Sequence, residues 1–161
     1  MKNKLSFTIP IIPRAQMRAR SMARGGHAIT YKAKEQRQNE EQIMQLLEKY
    51  MPSEPLQGAL SIIVKAFLPI PLSKPEWWKN AANECLIYPT VRPDIDNIIK
   101  FILDTIGAMC YFNDDSQVVK IIAEKYYSVS PRWEISLREF KQPKNKKEYI
   151  NRMVSHKTSC G

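Results

Sequence analysis

The chain has 161 residues, of which 43% are hydrophobic, so it can form one domain with a core of ordinary size. Its net charge of +9 and pI near 9.5 favour a polyanionic partner, nucleic acid before membrane.

No apolar stretch is long enough to span a bilayer, and the short N-terminal one is broken by Pro10 and Pro13, which argues against a signal peptide. The three cysteines form no CxxC pair, so neither a disulfide framework nor a zinc site is supported, and a reducing cytoplasm is the simplest location.

Basic side chains are concentrated in two segments. Residues 14–37 contain seven Lys or Arg against one acid, and residues 141–161 contain six against one. Such clusters are typical of phosphate binding, although a charged surface that only keeps the protein in solution is the alternative. The candidate DNA-contacting residues of the first segment are Arg14, Arg18, Arg20, Arg24 and Lys32.

The N-terminal part of the chain predicts a strand, a loop and a helix. Residues 4–11 indicate a strand, which Pro13 ends. Residues 13–29 are basic and contain Gly25-Gly26, whose backbone freedom favours a mobile loop. Residues 31–50 are rich in strong helix formers and place apolar side chains on one face, so we expect a helix there.

A second strand and a long connection follow. Residues 58–70 alternate in polarity and are rich in β-branched side chains, which predicts a strand. The connection at 71–91 has room for one helix after Pro75. Its adjacent Trp77 and Trp78 are expected to pack against the core, with stacking on nucleic-acid bases as the alternative.

The clearest pattern in the sequence is an amphipathic helix that begins near Asp94. Isoleucines and a leucine recur at helical spacing up to Ile106, and Gly107 is expected to end the helix. Two further strands are predicted at 116–129 and 132–140, and the Ser-Pro sequence between them makes a hairpin the natural connection.

The predicted order is strand, helix, strand, helix, strand, strand. This order indicates an α/β (α+β) domain with a mixed β-sheet of about four strands and helices packed on it. We assign the domain to residues 1–140 and interpret residues 141–161 as a basic, loosely ordered tail.

Two carboxylates stand at the start of the amphipathic helix, in RPDIDNIIKF (92–101). Pro93 disfavours helix before it, so Asp94 is expected to be the N-cap and Asp96 to lie in the first turn. With the first carboxylate outside the helical spiral, both can converge on one point, where the helix dipole helps to keep them ionised. The simpler alternative is that one caps the helix and the other complements its dipole.

A second acidic pair, Asp114 and Asp115, follows the same helix in YFNDDSQVV (111–119). Asn and Asp are ordinary turn residues, so a simple turn is one interpretation. If the next strand packs beside the helix start, three or four carboxylates meet and repel one another unless a cation neutralises them. Oxygen ligands in that number suit Mg²⁺ or Mn²⁺.

Two further polar residues lie on the acidic helix. Lys100 follows Asp96 by one turn, so its ammonium could neutralise a scissile phosphate beside such a metal site. A surface ladder of Asp96, Lys100 and Asp104 is the alternative. Asn97 could cap the helix or orient a phosphate.

The sequence lacks the residues that other kinds of hydrolytic site require. The chain has two histidines with no pair at ligand spacing, and it contains neither GxxxxGK[ST] nor GxSxG. Zinc hydrolases, histidine-based nucleases and enzymes that use a nucleotide cofactor in a P-loop are therefore disfavoured. Of the hydrolytic sites considered, a metal bound by carboxylates on a basic protein remains, and this combination suits phosphodiester hydrolysis.

The stretch RPDIDNIIKFILDTIG, followed by FNDDSQVV and KYY, resembles the RusA-type family of Holliday-junction resolvases, which is common in bacteria, phages and prophages. It is similar to the family's Pro-Asp-x-Asp-Asn-x-x-Lys helix and Asp-Asp-x-Gln strand start, without a gap from Asp94 to Val118. The basic IPRAQMRAR and YKAKEQ are similar more loosely, so the likeness covers roughly residues 5–140.

The resemblance implies a homodimer that binds four-way DNA and cuts two strands symmetrically with Mg²⁺ or Mn²⁺. A two-fold junction that needs two cuts suits a two-fold enzyme with one site per subunit. Lys100 matches the family's functionally important lysine, and Asn97 also matches. The metal ligands that the resemblance implies are Asp94, Asp96 and Asp115, with Asp114 as their neighbour.

The main hypothesis is therefore a metal-dependent endonuclease that resolves Holliday junctions by paired nicks in DNA recombination and repair. A nuclease acting on flaps or forks is one alternative. A DNA-binding protein without catalysis, in which the acids are only caps and turns, is the other. Metal-dependent cleavage distinguishes the last alternative from the first two.

Overall fold

The computed structural model describes residues 4–15, 20–24, 27–31 and 34–158. In these ranges the elements are β1 (Lys4–Ile9), β2 (Arg20–Arg24), β3 (His27–Tyr31), α1 (Lys34–Leu47), β4 (Leu60–Pro69), α2 (Glu76–Asn83), α3 (Ile95–Ala108), β5 (Val118–Ser128), β6 (Arg132–Glu139) and α4 (Lys146–Thr158). Short 3₁₀ turns follow α1 at Glu48–Tyr50 and precede β5 at Asp115–Gln117.

Four strands form one mixed sheet in the order β1-β6-β4-β5. β6 is antiparallel to both of its neighbours, whereas β4 and β5 are parallel. Parallel neighbours need a long crossover, and here that connection contains α2 and α3. The prediction of a mixed sheet of about four strands with helices packed on it is confirmed.

The predicted hairpin between the last two strands is wrong. β4 lies between β5 and β6 and pairs with both of them. Most residues of β4 are buried, on both faces of the sheet. This strand therefore occupies a central position and separates β5 from β6, the two strands that follow it in the chain. The short connection favoured a hairpin, but the burial of β4 decides the strand order.

The core lies between one face of the sheet and the helices α1 and α3. Alternate residues of the strands point into it, as period-two geometry requires. Each large side chain buried here contributes about 1.5–3 kcal/mol of hydrophobic stabilisation. The fully buried side chains include Ile9, Leu47, Ile62, Ile102, Ile106, Trp133 and Leu137.

The two adjacent tryptophans have different environments. Trp78 packs edge-on against Tyr127 of β5, with ring centroids 5.3 Å apart, in a small cluster with Leu68 and Ala82. Trp77 is 69% exposed. Core packing is therefore confirmed for Trp78 and wrong for Trp77, because neighbouring residues of a helix point about 100° apart and only one can face the sheet.

The basic segment predicted as a mobile loop contains two strands. β2 and β3 form a separate antiparallel pair in which Met22 is opposite Ile29. Gly25-Gly26, which join these strands, lie outside the described residues. The backbone freedom of Gly-Gly favoured a mobile loop, but the same dipeptide is also typical of a two-residue hairpin connection.

The C-terminal segment, predicted to be loosely ordered, contains α4. Arg152 donates hydrogen bonds to the Glu148 carboxylate, at 2.7 Å, and to the carbonyl of Lys141. Glu148 also accepts from the backbone N–H of Lys144 at 2.9 Å. Residues 146–158 are therefore helical, while the division between domain and tail stays a prediction.

Gly107 does not end α3, which continues to Ala108. The left-handed residue after the helix is Cys110, with φ of 57°. Its N–H donates to the Gly107 carbonyl at 2.9 Å, and the Tyr111 N–H donates to the Ile106 carbonyl at 3.3 Å. These two bonds are a Schellman motif, so Gly107 is a helical residue with no need for glycine's left-handed conformation.

We expect Gly107→Ala to raise the free energy of unfolding by about 0.4–1 kcal/mol, because a helical glycine carries excess entropy in the unfolded chain. The added Cβ would lie 3.5 Å from Asp115 Oδ1 and 3.6 Å from Phe112, which are ordinary contact distances. Gly58→Ala is the matched control and should destabilise, since Gly58 has φ of +68°. Denaturant unfolding measures both variants, and a less stable Gly107→Ala would contradict this account.

Candidate functional site

The start of α3 presents a carboxylate that the helix does not use. Asp94 is the N-cap, as predicted, with extended backbone (φ −71°, ψ 145°), and its carbonyl accepts the first helical bond from the Ile98 N–H at 3.1 Å. Its side chain makes no capping hydrogen bond. The preceding Arg92–Pro93 peptide bond is cis. Capping therefore does not account for the Asp94 carboxylate, which is exposed to solvent.

Asp96 and Lys100 extend this exposed surface along the first turns of α3. Both side chains are exposed, and their spacing of four residues puts them on one face of the helix. Among the described residues the ion pairs do not include Asp96 or Lys100, so the part of the surface ladder between these two side chains is not formed. Asn97 is half-buried beside them. The start of α3 thus holds two carboxylates and an ammonium group that forms no ion pair in the described ranges.

Lys125 of β5 anchors the segment that leads into this surface. Its Nζ donates to the carbonyls of Val91 and Pro93, each at 3.1 Å. Lys125 is the first residue of KYY in the sequence, and no role was predicted for it. The signal was its position between Ala123 and Tyr127 on the helix-covered face of the strand, where an ammonium group needs acceptors.

Asp114 of the second acidic pair has a structural role. Its carboxylate accepts the Ser116 N–H at 2.8 Å, and the Gln117 side chain accepts the Asp114 N–H at 3.0 Å. This is a capping box around the 3₁₀ turn. Hydrogen bonding with Ser116, through its side chain first and then its backbone, lowers the pKa of Asp114 below the usual carboxyl value. For Asp114 the turn interpretation is sufficient.

Asp115 lies at the far end of α3 from the first pair. Its Oδ1 is beside Gly107, in a shallow surface cavity that Asp104 and Asp114 also line. From Asp96 to Gly107 the helix rises roughly 16 Å, at about 1.5 Å per residue. Within one chain, therefore, the two acidic pairs do not meet.

The path of β5 explains this separation. β5 begins at the C-terminal end of α3 and runs back beside the helix, so the residue that reaches the helix start is Lys125 and not Asp115. Among the described residues, no three His, Cys, Asp or Glu side chains form a group that could hold a metal ion. The residues of one chain therefore do not fit the metal site expected from the sequence, and the catalytic roles of Asp94, Asp96, Asp115 and Lys100 stay predictions.

The candidate DNA-contacting residues are described only in part. Arg14 is exposed after β1. Arg20 and Arg24 lie on β2. Arg18 and Lys32 lie outside the described residues. In the described ranges, no helix has the length and apolarity needed to cross a membrane.

Comparison with known proteins identifies the family. The model of the family described as Endodeoxyribonuclease RusA matches residues 10–138 of the chain. The chain belongs to the RusA endodeoxyribonuclease family. The match confirms the resemblance seen in the sequence and includes the start of α3, Lys125 and both acidic pairs.

Two curated relatives have different coverage. "Uncharacterized protein YqaN" of Bacillus subtilis (strain 168) is 31% identical over 137 residues, which are 84% of this chain and 96% of that protein. "Crossover junction endodeoxyribonuclease rusA" of Lactococcus phage r1t is 35% identical over 66 residues, which are 41% of this chain and 44% of that protein. The match to the first relative covers most of both chains, and the second relative is named for an activity.

We expect Lys125→Met to lower the rate of DNA cleavage by roughly 10- to 100-fold, because losing both carbonyl contacts lets the segment before Asp94 shift. The loss should be in kcat, with the Kd for DNA unchanged, since Lys125 acts through the position of Asp94. Lys65→Met, on the neighbouring strand, is the matched control and should cut normally. A wild-type kcat in Lys125→Met would remove this positioning role.

Proposed function

We propose that this protein is a structure-specific DNA endonuclease that resolves four-way junctions by paired nicks, in recombination and repair. The observation that carries the proposal is the exposed start of α3. There the Asp94 carboxylate is not used for capping, and Asp96 lies one turn from Lys100 without an ion pair between them. This surface lies inside the match to an endodeoxyribonuclease family. The phage relative named for crossover junctions supports four-way DNA as the substrate.

The groups at the start of α3 suit phosphodiester chemistry. The helix N-terminus carries partial positive charge and attracts a phosphate. The Lys100 ammonium can stabilise negative charge that develops on that phosphate during the reaction. Asp94 and Asp96 can orient and deprotonate an attacking water. Asn97, which is half-buried beside them, can donate a hydrogen bond to the DNA backbone.

We further propose a requirement for Mg²⁺, for which Mn²⁺ substitutes, and a homodimer as the active form. One chain does not bring three carboxylates together in the described ranges. A second copy can supply the missing carboxylate if its Asp115 reaches the start of α3. The edge of the sheet offers a surface for such an assembly.

That surface is the first half of β5. β5 is an edge strand, so one side of its backbone is unpaired in the sheet. Val119, Ile121 and Ile122 are 63%, 43% and 38% exposed, although all three are apolar. Antiparallel pairing of two β5 strands about a two-fold axis near Ile121 places the start of one strand opposite Lys125 of the other. Asp115 of the partner subunit then lies beside the segment that carries Asp94.

The central test compares a mobile four-way junction with linear duplex of the same sequence, in Mg²⁺, Mn²⁺ or EDTA. We expect paired nicks in the junction alone and no cleavage in EDTA. Asp96→Asn should lose at least about 100-fold in rate and still bind DNA. Lys100→Ala should behave in the same way, because it removes a charge that acts in the transition state. Glu76→Gln, which removes an acid from the first turn of α2, is the matched control.

Other outcomes would change the proposal in definite ways. Cleavage of flaps or forks without junction cleavage would make the protein a nuclease for those structures. Junction binding without cutting in any metal would make it a DNA-binding protein without catalysis. Equal losses in Asp96→Asn and Glu76→Gln would remove the start of α3 as the reacting surface.

The dimer proposal predicts that two inactive variants restore each other. If a site takes Asp96 from one subunit and Asp115 from its partner, a heterodimer of Asp96→Asn and Asp115→Asn contains one site with both carboxylates intact. Mixing the two variants after unfolding and refolding should then restore single nicks, while each variant alone stays inactive. No activity in the mixture would show that each site is built within one chain.

Ile121→Lys tests the surface itself. A charge at the centre of the apolar edge should convert the dimer to a monomer in sedimentation and abolish cleavage. Val129→Lys is the matched control, because Val129 is 73% exposed and lies past the end of β5. If Ile121→Lys stays dimeric and active, the dimer interface lies elsewhere on the protein.

A further inference from the structure

The sheet face opposite α1 and α3 contains a basic groove that the proposed cleavage site does not use. Residues of all four strands line it, in a surface cavity of about 340 Å³. No carboxylate contributes to its lining. The polar and aromatic residues of the groove are Lys4, Ser61, Lys120, Ser136, Arg138 and Phe140.

Three of these residues are cations in one row across the sheet. Arg138 is opposite Lys4 on one side and opposite Ser61 on the other, and Ser61 is opposite Lys120. Residues directly opposite each other project from the same face, so the three basic side chains stand in line. From Lys4 on β1 to Lys120 on β5 the row spans roughly 14 Å, at about 4.8 Å per strand.

This arrangement is unfavourable for the sheet by itself. Like charges directly opposite each other on neighbouring strands destabilise a sheet, and Lys4 and Arg138 are such a pair. The ion pairs formed among the described residues include none of the three cations. A polyanion would remove this repulsion.

The carboxylates on the same face already pair with other cations and do not neutralise this row. Glu124 pairs with Lys65 at 3.6 Å, and Glu134 pairs with Arg132 at 2.8 Å. Both pairs lie further along the strands, beyond a row of small or apolar residues. The face is therefore divided into an ion-paired part and a part that carries three cations with no acid.

We propose that this row, Lys4, Arg138 and Lys120, binds the phosphodiester backbone of a DNA arm away from the cleavage site. The proposal rests on the DNA substrate proposed above. Its span of roughly 14 Å equals the rise of about four base pairs along a duplex, at roughly 3.4 Å of helix axis per nucleotide of one strand. Backbone contacts of this kind fix the orientation of a duplex without reading its sequence, which is what a structure-specific enzyme needs.

The C-terminal segment continues the same basic surface. Phe140 borders both this groove and a neighbouring one, which Lys141, Lys144 and Arg152 also line. In that second groove the Glu148 carboxylate is already bound by Arg152 at 2.7 Å. Glu139 also lines that groove, where it accepts the Gln57 N–H at 2.7 Å, so Lys141 and Lys144 are the cations that continue the row toward α4.

Charge favours DNA over a second copy of this chain as the occupant. A two-fold contact through this face would bring two identical cation rows together, and like charges that meet at a contact oppose association. A polyanion meets no such penalty. The contact between copies is an outcome that the experiment below detects.

The test measures junction binding in EDTA, where cleavage is absent, across a series of salt concentrations. The variant Lys4→Gln, Lys120→Gln, Arg138→Gln should weaken binding and reduce the slope of log K against log[salt] by about 2.7, or about 0.9 per lost phosphate contact. Lys49→Gln, Lys74→Gln, Lys79→Gln removes the same charge elsewhere and should leave the slope nearly unchanged. Lys120→Gln alone should reduce it by about 0.9.

Stability distinguishes a binding role from a structural one. Because the row variant removes the repulsion between Lys4 and Arg138, its melting temperature without DNA should equal or exceed that of the wild type. A binding loss that accompanies a lower melting temperature in both the triple variant and Lys120→Gln would assign the row to the fold and overturn the proposal.

Three further results would overturn the proposal. An unchanged slope would show that DNA does not bind this face. An equal change of slope in the control variant would show that the effect comes from net charge alone. A smaller sedimenting mass of Lys4→Gln, Arg138→Gln without DNA would assign the face to a contact between copies, because neither residue lies on the β5 edge proposed for the dimer. Wild-type cleavage in Mg²⁺ is scored separately. If the wild type cuts junctions but the row variant keeps the wild-type slope, only the proposal for the cation row is rejected. If the row variant has a reduced slope but the wild type does not cut, only the nuclease proposal is rejected.

Discussion

The burial of β4 is the constraint on which the rest of this structure depends. Most residues of β4 are buried, so this strand lies inside the sheet, with β5 on one side and β6 on the other. This arrangement leaves β5 at the edge of the sheet. It also makes β4 and β5 parallel, which requires a long crossover and places α3 beside β5. Lys125 reaches the segment before α3 as a consequence of this order.

α3 acts as a rigid spacer between two acidic pairs that differ in their local roles. Asp114 is committed to a capping box, and its hydrogen bonds with Ser116 favour the ionised form. Asp94 stands at a cap position without a side-chain bond. The helix needs the backbone of Asp94 and leaves its carboxylate available, which is the difference between a structural acid and a candidate for chemistry. This difference could be seen only with the hydrogen bonds resolved.

Charge is arranged so that the acids and the cations of the groove lie on different parts of the protein. The candidate reacting surface is at the start of α3, on the helix-covered side of the sheet. The row of three cations lies on the opposite face, where the carboxylates present are already paired. This separation allows DNA to be held by its backbone at one place without neutralising the acids at another. A net charge of +9 does not by itself reveal such an arrangement.

Local patterns in the sequence were sufficient for the fold class, the helix α3, the Asp94 cap and the family. Each depends on residues close together in the chain, whose spacing directly determines which face of a helix or strand they occupy. The strand order, the exposure of Trp77, the anchoring by Lys125 and the row across four strands were decided by tertiary structure. They depend on which distant segments become neighbours, and that is determined by how all the apolar faces are buried together. The separation of the acidic pairs has the same cause, because β5 returns along α3 and carries Asp115 away from Asp94.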